Sequence, residues 1–597
     1  AGETLRGHLH ESDITVLTPG GGGVAVRHLN KHIDFDSCCA PILNAESSRS
    51  LALPQQMAVT GDGQTLYVAA LGSDKVGIFS TSQLENDTFV PDAASHIPVS
   101  GGGPTGLVLD EGRQQIYVLT RFDNAISVLD TASKVETRHV RMHNPEPQSI
   151  VAGRRFLYDA RFSSSHGDSA CASCHVFGDF DSLAWDLGNP DEVQMDHPGP
   201  FLSTLENLVT GGFMEPILHP MKGPMTTQSL RGLANHGAMH WRGDRTGAHD
   251  APSRQPDSGA FDERAAFDQF NRGFTDLLGR HALIPQADMD AFSDFIFQVK
   301  YPPNPLQPFE GFTPDQERGR QLFFSLDCGV PAACVGQPGC AKLTCQGCHR
   351  FDPNGNPNSE APGFFGSDGR FTFDFNPQLF KAPHFRNLYQ KVGMFGIAPH
   401  PGFPNTDYSE TGEQVRGFGF LNDGTMDTMF RFHHGPSFQV DFPHNGPNGI
   451  PLGQEGEVQR RQLEQFLLAF PTGQASIVGQ QITLAAGSSA AVGARVDLLR
   501  RRADEGECEL VAKARISGEE AGFLYVGSGQ FARDRRKQPL LPAADVRSLA
   551  DSGRPVTYTC VPLGSGKRVG VDRDGDGAWD GDERDAHTDP SDADSRP

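Results

Sequence analysis

Two short cysteine motifs restrict what this chain can fold into more than any other feature of its sequence. They are CASCH at 171–175 and CQGCH at 345–349, and each follows a phrase of the form G-R-x-F/L-L/F. Two thiols at this spacing form thioethers to the vinyl groups of a haem, and the adjacent histidine binds the iron. A single motif also occurs in redox and zinc sites, but two favour a pair of covalently attached c-type haems. The residues predicted to hold the haems are Cys171, Cys174, His175, Cys345, Cys348 and His349.

A repeat near the N-terminus predicts antiparallel β-structure. Residues 54–81 recur as residues 104–131, with an offset of 50 at the matched positions. Short alternating strands separated by turns fit one β-propeller blade per repeat, and a small sandwich is the alternative. A third copy is predicted to start at Pro147 and to merge into residues 156–158. Because propellers need about four to eight blades, we expect the propeller of residues 1–152 to be incomplete, with the missing blades supplied by an upstream segment or another chain.

The rest of the chain is predicted to contain further domains, which makes it a multidomain α+β protein. Apolar residues spaced three and four apart predict helices at 287–299 and 457–470, and Thr313 followed by Pro314 marks the start of another. The predicted domains are incomplete propeller blades at 1–152, a first mainly α-helical cytochrome c domain at 153–305, a second at 306–472, a small β-rich domain at 473–569 and an acidic tail at 570–597.

The cysteine count and the charge indicate an exported protein. The chain has 11 cysteines, of which four lie in the two motifs. The other seven favour disulfides in an oxidising compartment, with Cys508 and Cys560 as a plausible pair. Seven is odd, so one thiol is free or has lost a partner, for which Cys38 and Cys39 are the candidates.

A net charge of −23 argues against nucleic acid and anionic membranes as partners. No apolar run approaches the ~20 residues of a membrane span. The start lacks a signal-peptide core, so we expect the mature form of a periplasmic or extracellular protein.

The acidic C-terminal segment fits a twelve-residue calcium loop. Acidic residues occupy positions one, three, five, nine and twelve, and Gly577 stands at position six, where the chain must turn sharply. Ala578 at position seven can contribute its carbonyl oxygen. The alternative interpretation is a solvated acidic tail. The predicted calcium ligands are Asp572, Asp574, Asp576, Asp580 and Glu583.

Several segments around the two motifs resemble the bacterial di-haem cytochrome c peroxidase / MauG superfamily, which includes rubber-oxygenase-like members. The matching stretches are GRRFLYDARFSSSHGDSACASCH, LHPMKGPMTTQSLRGLANHGAMHWRGDR, FTPDQERGRQLFFS with CQGCH, FKAPHFRNLYQ and FGFLNDGTMDTMFRF, and they cover about residues 153–472. The N-terminal repeat resembles YVTN-type propeller blades.

The resemblance implies roles for particular residues. His175 and His349 would be the proximal iron ligands, and Trp241 would relay electrons between the haems. His219 would lie over the first iron as a displaceable sixth ligand or a distal polar group. The second iron would take its sixth ligand from a cluster after the N-D-G turn at 422–424. The candidates in that cluster are His433, His434, Met429 and Met426.

Two departures from the family leave three functions open. Leu277 and Leu278 stand where the family carries an acid–base glutamate, with Glu263 earlier in the segment, and insertions occur at 328–340 and 400–417. The resemblance implies an enzyme that reduces peroxide, or uses it to oxidise a substrate, at the first haem, with electrons relayed by the second. The alternatives are a di-haem oxygenase that binds dioxygen, and an electron carrier that exchanges electrons with a soluble protein partner and docks through its propeller.

Overall fold

The computed structural model describes most of the N-terminal half, all of the C-terminal part and shorter stretches between them. The described residues are 5–144, 146–189, 193, 195–196, 202–203, 217–218, 220–234, 236, 239–243, 245, 262–327, 344–349, 351–352, 363–364, 371–373, 380–381, 383–393, 419–424, 426–435, 438–440 and 448–597. The chain divides into two compact units, one of residues 1–300 and 315–467, the other of residues 301–314 and 468–597. Within the described stretches, no helix combines the length and the apolar character that crossing a bilayer requires.

Antiparallel strands dominate the N-terminal part of the first unit. They are β1 (Asp13–Thr18), β2 (Gly23–His28), β3 (Pro54–Val59), β4 (Thr65–Ala70), β5 (Lys75–Ser80), β6 (His96–Pro98), β7 (Pro104–Asp110), β8 (Gln115–Thr120), β9 (Ala125–Asp130) and β10 (Val135–Arg141), with helix α1 (Thr81–Glu85) after β5. Strands β3 to β6 form one four-stranded sheet and β7 to β10 a second, each with consecutive strands as neighbours. Strands β1 and β2 form a separate hairpin.

The sequence repeat corresponds to these two four-stranded sheets. Strands β3, β4 and β5 recur as β7, β8 and β9, and each recurrence starts 50 residues later. Val76 and Ile97 from the first sheet share one buried cluster with Leu107, Ile116 and Leu129 from the second. The alternating apolar positions therefore face a common core. The coarse prediction of a multidomain α+β chain with antiparallel sheets is confirmed, while the two sheets by themselves close no ring.

The predicted third repeat is wrong, because residues Gln148–Tyr158 form a helix, α2. Its buried positions follow helical spacing rather than alternation. They are Gly153, Arg154, Phe156 and Leu157. At Gly153 the helix packs so tightly on its neighbour that an added Cβ would lie 2.0 Å from Phe295 Cβ. The predicted domain boundary between residues 152 and 153 falls inside this helix.

Helices and very short strands make up the described part of the region between residues 160 and 468. The helices are α3 (Ala160–Ser163), α4 (Glu263–Asp268), α5 (Arg272–Asp276), α6 (Gln286–Ile296), α7 (Pro314–Ser325), α8 (Cys345–Cys348), α9 (Leu388–Lys391), α10 (Met429–Phe432) and α11 (Gln454–Leu468). The strands are β11 (Ala184–Trp185), β12 (Met195–Asp196), β13 (Leu202–Ser203), β14 (Ile217–Leu218), β15 (Met225–Thr226), β16 (Phe351–Asp352), β17 (Gly363–Phe364), β18 (Phe371–Phe373) and β19 (Phe380–Lys381). The predicted helix start at Pro314 is confirmed, as are the predicted helices that became α6 and α11.

The second unit is built on a six-stranded antiparallel sheet. Its strands are β20 (Gln481–Leu484), β21 (Glu509–Ile516), β22 (Glu519–Gly527), β23 (Gln530–Arg533), β24 (Leu541–Pro542) and β25 (Val556–Val561), in the order β20-β25-β21-β22-β23-β24. The helices are α12 (Ala490–Asp504), α13 (Ala543–Asp551), α14 (Gly566–Gly570) and α15 (Asp580–Ala586). The prediction of a β-rich domain missed α12, whose buried residues Val496 and Leu499 pack on the sheet core.

Two disulfides lie in the described residues. Cys508 bonds Cys560, which confirms the predicted pair. Cys38 bonds its neighbour Cys39, so the idea that one of these two had lost a partner is wrong. The remaining three cysteines outside the haem motifs, at 328, 334 and 340, lie outside the described residues.

Candidate di-haem site

The first cysteine motif forms a tight turn that fixes the orientation of its histidine. Residues Cys171–Ser173 form a short 3-10 helix, and the His175 amide donates to the Cys171 carbonyl at 2.9 Å. His175 Nδ1 lies 2.9 Å from the carbonyl oxygen of Gln228. Because a carbonyl can only accept, Nδ1 carries the proton, and burial lowers the pKa of His175 so that the ring is neutral. The lone pair of Nε2 is therefore available to a metal.

The two thiols of the first motif are free. Cys171 and Cys174 are not bonded to each other. Burial raises the pKa of each thiol to about 12. Both sulfur atoms are therefore available for thioether bonds to a haem.

The second motif repeats this arrangement on a different part of the chain. Cys345 starts α8, and the His349 amide donates to its carbonyl at 2.8 Å. His349 Nδ1 lies 2.7 Å from the Pro383 carbonyl oxygen, so this ring also presents an unprotonated Nε2. Burial lowers the pKa of His349 to about 4. The Phe385 ring stacks on the imidazole with a centroid distance of 4.0 Å and further restricts its rotation.

Near the second motif, a buried histidine follows directly after α10. His433 is 4% exposed, and its Nδ1 has no hydrogen-bond partner among the described residues. Burial, assisted by the Arg460 guanidinium and also by the field of His349, lowers the pKa of His433 to about 3. A buried neutral imidazole whose Nδ1 makes no hydrogen bond among the described residues has the chemistry of a metal ligand.

The neighbouring histidine is already engaged. His434 Nδ1 lies 3.0 Å from the Phe430 carbonyl and its Nε2 lies 3.1 Å from Glu457 Oε1, so both ring nitrogens have partners. Of the two histidines, His433 therefore fits an iron ligand better. Met426 and Met429 are buried and stay candidates.

Trp241 is buried between the segments that follow the two motifs. Its indole Nε1 donates to the Thr226 carbonyl at 2.7 Å, two residues before Gln228. The ring packs in one cluster with Met225 and Phe380, and Phe380 lies three residues before Pro383. The structure thus places Trp241 beside both chain segments that orient the motif histidines.

Sequence reasoning missed a set of polar contacts that join the same two segments. Gln390 donates to Asp179 Oδ2 at 2.8 Å, and Arg386 donates to the Gly232 carbonyl at 2.6 Å. Lys391 Nζ lies 5.7 Å from the centroid of a ring of Trp241, and burial lowers the pKa of this lysine to about 8. Arg386 and Gln390 lie within the family-like stretch FKAPHFRNLYQ and Lys391 follows it directly, but nothing in that stretch indicated which contacts these side chains make.

Two further predictions concern the surroundings of the first motif. His219 lies outside the described residues. Leu278, which stands where the family carries a glutamate, packs against an apolar core.

A further cluster lies in the N-terminal region, where Glu11, Asp13 and His28 each bring one ligand atom within 4.8 Å of the others. These three side chains are partly exposed and pair with one another, so we assign no site to them.

The predicted calcium loop closes on itself in the second unit. Asp572, Asp574 and Asp576 each bring one carboxylate oxygen within 4.8 Å of the others. Glu583 is fully buried beside them, and its pKa is raised to about 7, first by burial and then by the neighbouring aspartates. Asp580 is also buried, but its side chain is directed to other partners, as described below.

Comparisons with known proteins do not define a family for this chain. No protein-family model matches, and no curated protein matches. Among solved structures, a hydrazine synthase from Kuenenia stuttgartiensis is similar over 55% of this chain and 89% of its own, with 17% identity and a TM-score of 0.29. The periplasmic gluconolactonase of Pseudomonas aeruginosa is similar over 23% of this chain and 40% of its own, with 17% identity and a TM-score of 0.15. A putative 6-phosphogluconolactonase from Bacteroides fragilis covers 22% of this chain and 41% of its own, with 15% identity and a TM-score of 0.16. TM-scores this low support no conclusion about fold or function.

Proposed function

We propose that this protein is an exported di-haem c-type cytochrome of the cytochrome c peroxidase / MauG type. The haem held at the first motif would supply the iron at which peroxide is reduced or used to oxidise a substrate, and the haem held at the second motif would supply a relay for electrons. The observation that carries the proposal is the matched pair of hydrogen bonds, His175 Nδ1 to the Gln228 carbonyl and His349 Nδ1 to the Pro383 carbonyl. Metal-binding histidines are oriented in this way by a partner on the other ring nitrogen.

Both motifs have the donor set that a c-type haem requires. When bound, the haem supplies a redox-active iron, and the protein supplies its axial ligands and surroundings. Cys171 and Cys174 are unpaired neutral thiols beside a neutral His175, and Cys345 and His349 occupy the same relative positions in the second motif. These residues would hold the haems and keep Nε2 of each histidine directed at the iron.

We further propose that the two irons are unequal. His433, which is buried and whose Nδ1 has no hydrogen-bond partner among the described residues, would complete the coordination of the second iron. A six-coordinate iron can accept and donate electrons, but it has no open position at which a substrate could bind. The first iron would keep a displaceable position, which the sequence resemblance assigns to His219. Peroxide or dioxygen would therefore react at the first haem.

The contacts between the two segments support electron transfer from one haem to the other. Trp241 is hydrogen bonded on the side of the first motif and packs against Phe380 on the side of the second. The bond from Gln390 to Asp179 holds the same segments together. A buried aromatic ring at this place would shorten the path between the irons, and rigid surroundings keep that path constant. The two four-stranded sheets would be blades of a propeller whose further blades come from an upstream segment or from another chain.

A pair of variants tests the assignment of the second iron. In the oxidised holoprotein, we expect His433→Ala to convert one low-spin signal in the electron paramagnetic resonance spectrum to high spin. His434→Ala is the matched control, because its ring nitrogens are engaged by Phe430 and Glu457, and it should leave both signals unchanged. If His434→Ala alters the spectrum and His433→Ala does not, the assignment is wrong.

Ligand binding distinguishes the proposed function from its alternatives. We expect carbon monoxide to bind one iron of the reduced protein and hydrogen peroxide to oxidise the half-reduced protein within the mixing time. Reaction with dioxygen but not with peroxide would favour the oxygenase. If neither iron binds carbon monoxide or cyanide in any redox state, the protein is an electron carrier.

A further inference from the structure

The loop that joins α14 to α15 in the second unit turns its acidic side chains inward. Asp572 and Asp580 are each 1% exposed and Glu583 is 0% exposed. A solvated acidic tail would keep its carboxylates in water, because a buried charge without a partner is costly. The loop therefore does not fit the alternative interpretation of a solvated tail, and something must compensate the buried charge.

The protein itself leaves part of this charge without a partner. Both carboxylate oxygens of Glu583 and Oδ2 of Asp574 are buried and have no hydrogen-bond partner, in a stretch whose residues are all described from 448 onward. Lys567 Nζ reaches Asp572 Oδ2 at 2.6 Å and Arg596 Nε lies 3.2 Å from Asp576 Oδ2. These two cations come from exposed side chains and leave Glu583 unpaired.

Backbone amides of the loop donate to one carboxylate oxygen of each aspartate and to none of the second oxygens. The Gly575 amide donates to Asp572 Oδ1 at 3.0 Å, and the Ala578 amide donates to Asp576 Oδ1 at 2.7 Å. The Asp576 amide does the same for Asp574 Oδ1 at 3.2 Å. Gly577 has a φ of +100°, which a side chain would oppose, so glycine is required at this turn. One carboxylate oxygen from each of the three aspartates lies within 4.8 Å of the other two.

Asp580 has surroundings that differ from those of the three aspartates before it. Its Oδ1 accepts the Arg573 amide at 2.7 Å, and its Oδ2 lies 3.7 Å from Arg573 Nε and 4.0 Å from Lys513 Nζ. Position nine of such loops often acts through a water molecule. Direct ligation by Asp580 stays a prediction, and these contacts favour a positioning role.

We propose that this loop binds one calcium ion through Asp572, Asp574, Asp576, the carbonyl oxygen of Ala578 and both oxygens of Glu583. The donors are all oxygen, and they include a carboxylate able to bind through both atoms, which suits calcium and disfavours zinc and copper. The ion replaces Lys567 and Arg596 as the counter-charge of the aspartates.

Calcium would fasten the C-terminal helix to the sheet of the same unit. The Gly581 amide at the start of α15 donates to the Asp534 carbonyl at 2.8 Å, and Arg584 pairs with the Asp534 carboxylate. Arg573 within the loop donates to Glu520 of β22 at 2.6 Å. Because Glu583 lies on α15, its binding to the ion couples the loop to the helix, and the helix to the sheet edge.

Trp579 provides a direct readout, because it lies inside the loop at position eight. Terbium, which takes the same oxygen ligands as calcium, is excited by energy transfer from a nearby indole. In the full-length, chelator-treated holoprotein, we expect terbium luminescence that calcium displaces, with one calcium bound per chain by titration calorimetry. Trp579→Phe should lose the luminescence and keep the calcium binding.

Two variants on the same helix decide the assignment. Glu583→Gln keeps the shape of the side chain and removes its charge, so we expect calcium affinity to fall at least about tenfold. Asp585→Asn is the matched control, since Asp585 is exposed and pairs with Arg535, and it should bind calcium like the unchanged protein. Asp580→Asn should weaken binding less than Glu583→Gln. Circular dichroism of each variant would confirm that it is folded.

Proteolysis supplies a second measurement that does not depend on a variant. Calcium should slow cleavage of the chain after residue 565, and the visible spectrum of the haems should stay unchanged with and without chelator. The proposal is overturned if the unchanged protein binds neither calcium nor terbium at millimolar concentration, or if Glu583→Gln binds calcium as tightly as Asp585→Asn. Neither outcome affects the di-haem proposal.

Discussion

Replacing Gly153 by alanine tests how closely two helices approach beside the first haem motif. Gly153 lies in α2, and an added Cβ would meet Phe295 Cβ at 2.0 Å and Phe295 Cγ at 2.4 Å. Ordinary carbon contacts begin near 3.4 Å, so α2 and α6 would have to separate by about 1.4 Å. The nearest atom, Phe295 Cβ, is fixed to the backbone, so a change of side-chain rotamer cannot relieve the clash.

Two opposing effects determine how much Gly153→Ala lowers the free energy of unfolding. Overpacking a core costs about 1–3 kcal/mol, and a contact this short places Gly153→Ala at the upper end. Alanine in a helix gains about 1 kcal/mol over glycine. The steric effect is larger, and we expect the free energy of unfolding to fall by about 2 kcal/mol. Because α2 also contacts the turn that starts at Cys171, the haem spectrum should broaden as well.

Gly273→Ala is the matched control. Gly273 lies in α5, and an added Cβ would meet nothing within 4 Å. The same substitution should therefore stabilise this helix by up to about 1 kcal/mol. Urea unfolding followed by circular dichroism measures both changes, and hydrogen exchange of peptides from α2 and α6 localises them. If Gly153→Ala leaves the free energy of unfolding unchanged or raises it, as a substitution at an exposed position would, the close packing of α2 against α6 is refuted.

Three further predictions concern other parts of the chain. Replacing both Cys508 and Cys560 by alanine should lower the free energy of unfolding of the second unit by roughly 4 kcal/mol, because the disulfide closes a loop of 52 residues and so restricts the unfolded chain. An unchanged urea midpoint would contradict this. Burial, together with the charge of Lys75, lowers the pKa of His96 to about 4. Below pH 6.5 the unfolded chain binds a proton at this histidine that the folded protein does not bind, so the free energy of unfolding should fall by up to about 3 kcal/mol between pH 6.5 and 4. In urea unfolding, His96→Gln should reduce this dependence on pH. Trp241→Phe removes the donor to a buried carbonyl and should lower the free energy of unfolding by about 1–3 kcal/mol, measured with urea. It should also slow electron transfer between the haems, measured by flash photolysis. An unchanged transfer rate would exclude the tryptophan from the path.

The strands of the repeat could be predicted because their signal is local. Alternation within six or seven residues and a turn between strands were enough to place β3 to β5 and β7 to β9. The same reasoning failed at residues 147–158, where Phe156, Leu157 and Tyr158 form a short apolar run that fits a strand as well as a helix. Tertiary packing decides which periodicity applies, as the close contact of Gly153 with Phe295 illustrates.

The site was predictable to the extent that its residues are adjacent in sequence. The motif cysteines and histidines could be named, but the atoms that orient the histidines are backbone carbonyls 53 and 34 residues away, and a carbonyl leaves no mark on the sequence. His433 and His434 are neighbours, and on a helical turn they point in directions about 100° apart. Their roles therefore depended on tertiary contacts with Arg460 and Glu457, which sequence spacing does not reveal.

Mass spectrometry of peptides from the native holoprotein tests the central claim most directly. The account predicts that the peptide with Cys171 and Cys174 and the peptide with Cys345 and Cys348 each carry one haem, added through two thioether bonds. Every cysteine of the two motifs should then resist alkylation before and after reduction. Recovery of either peptide with free thiols, with a disulfide between its cysteines or with zinc in place of haem would contradict the account.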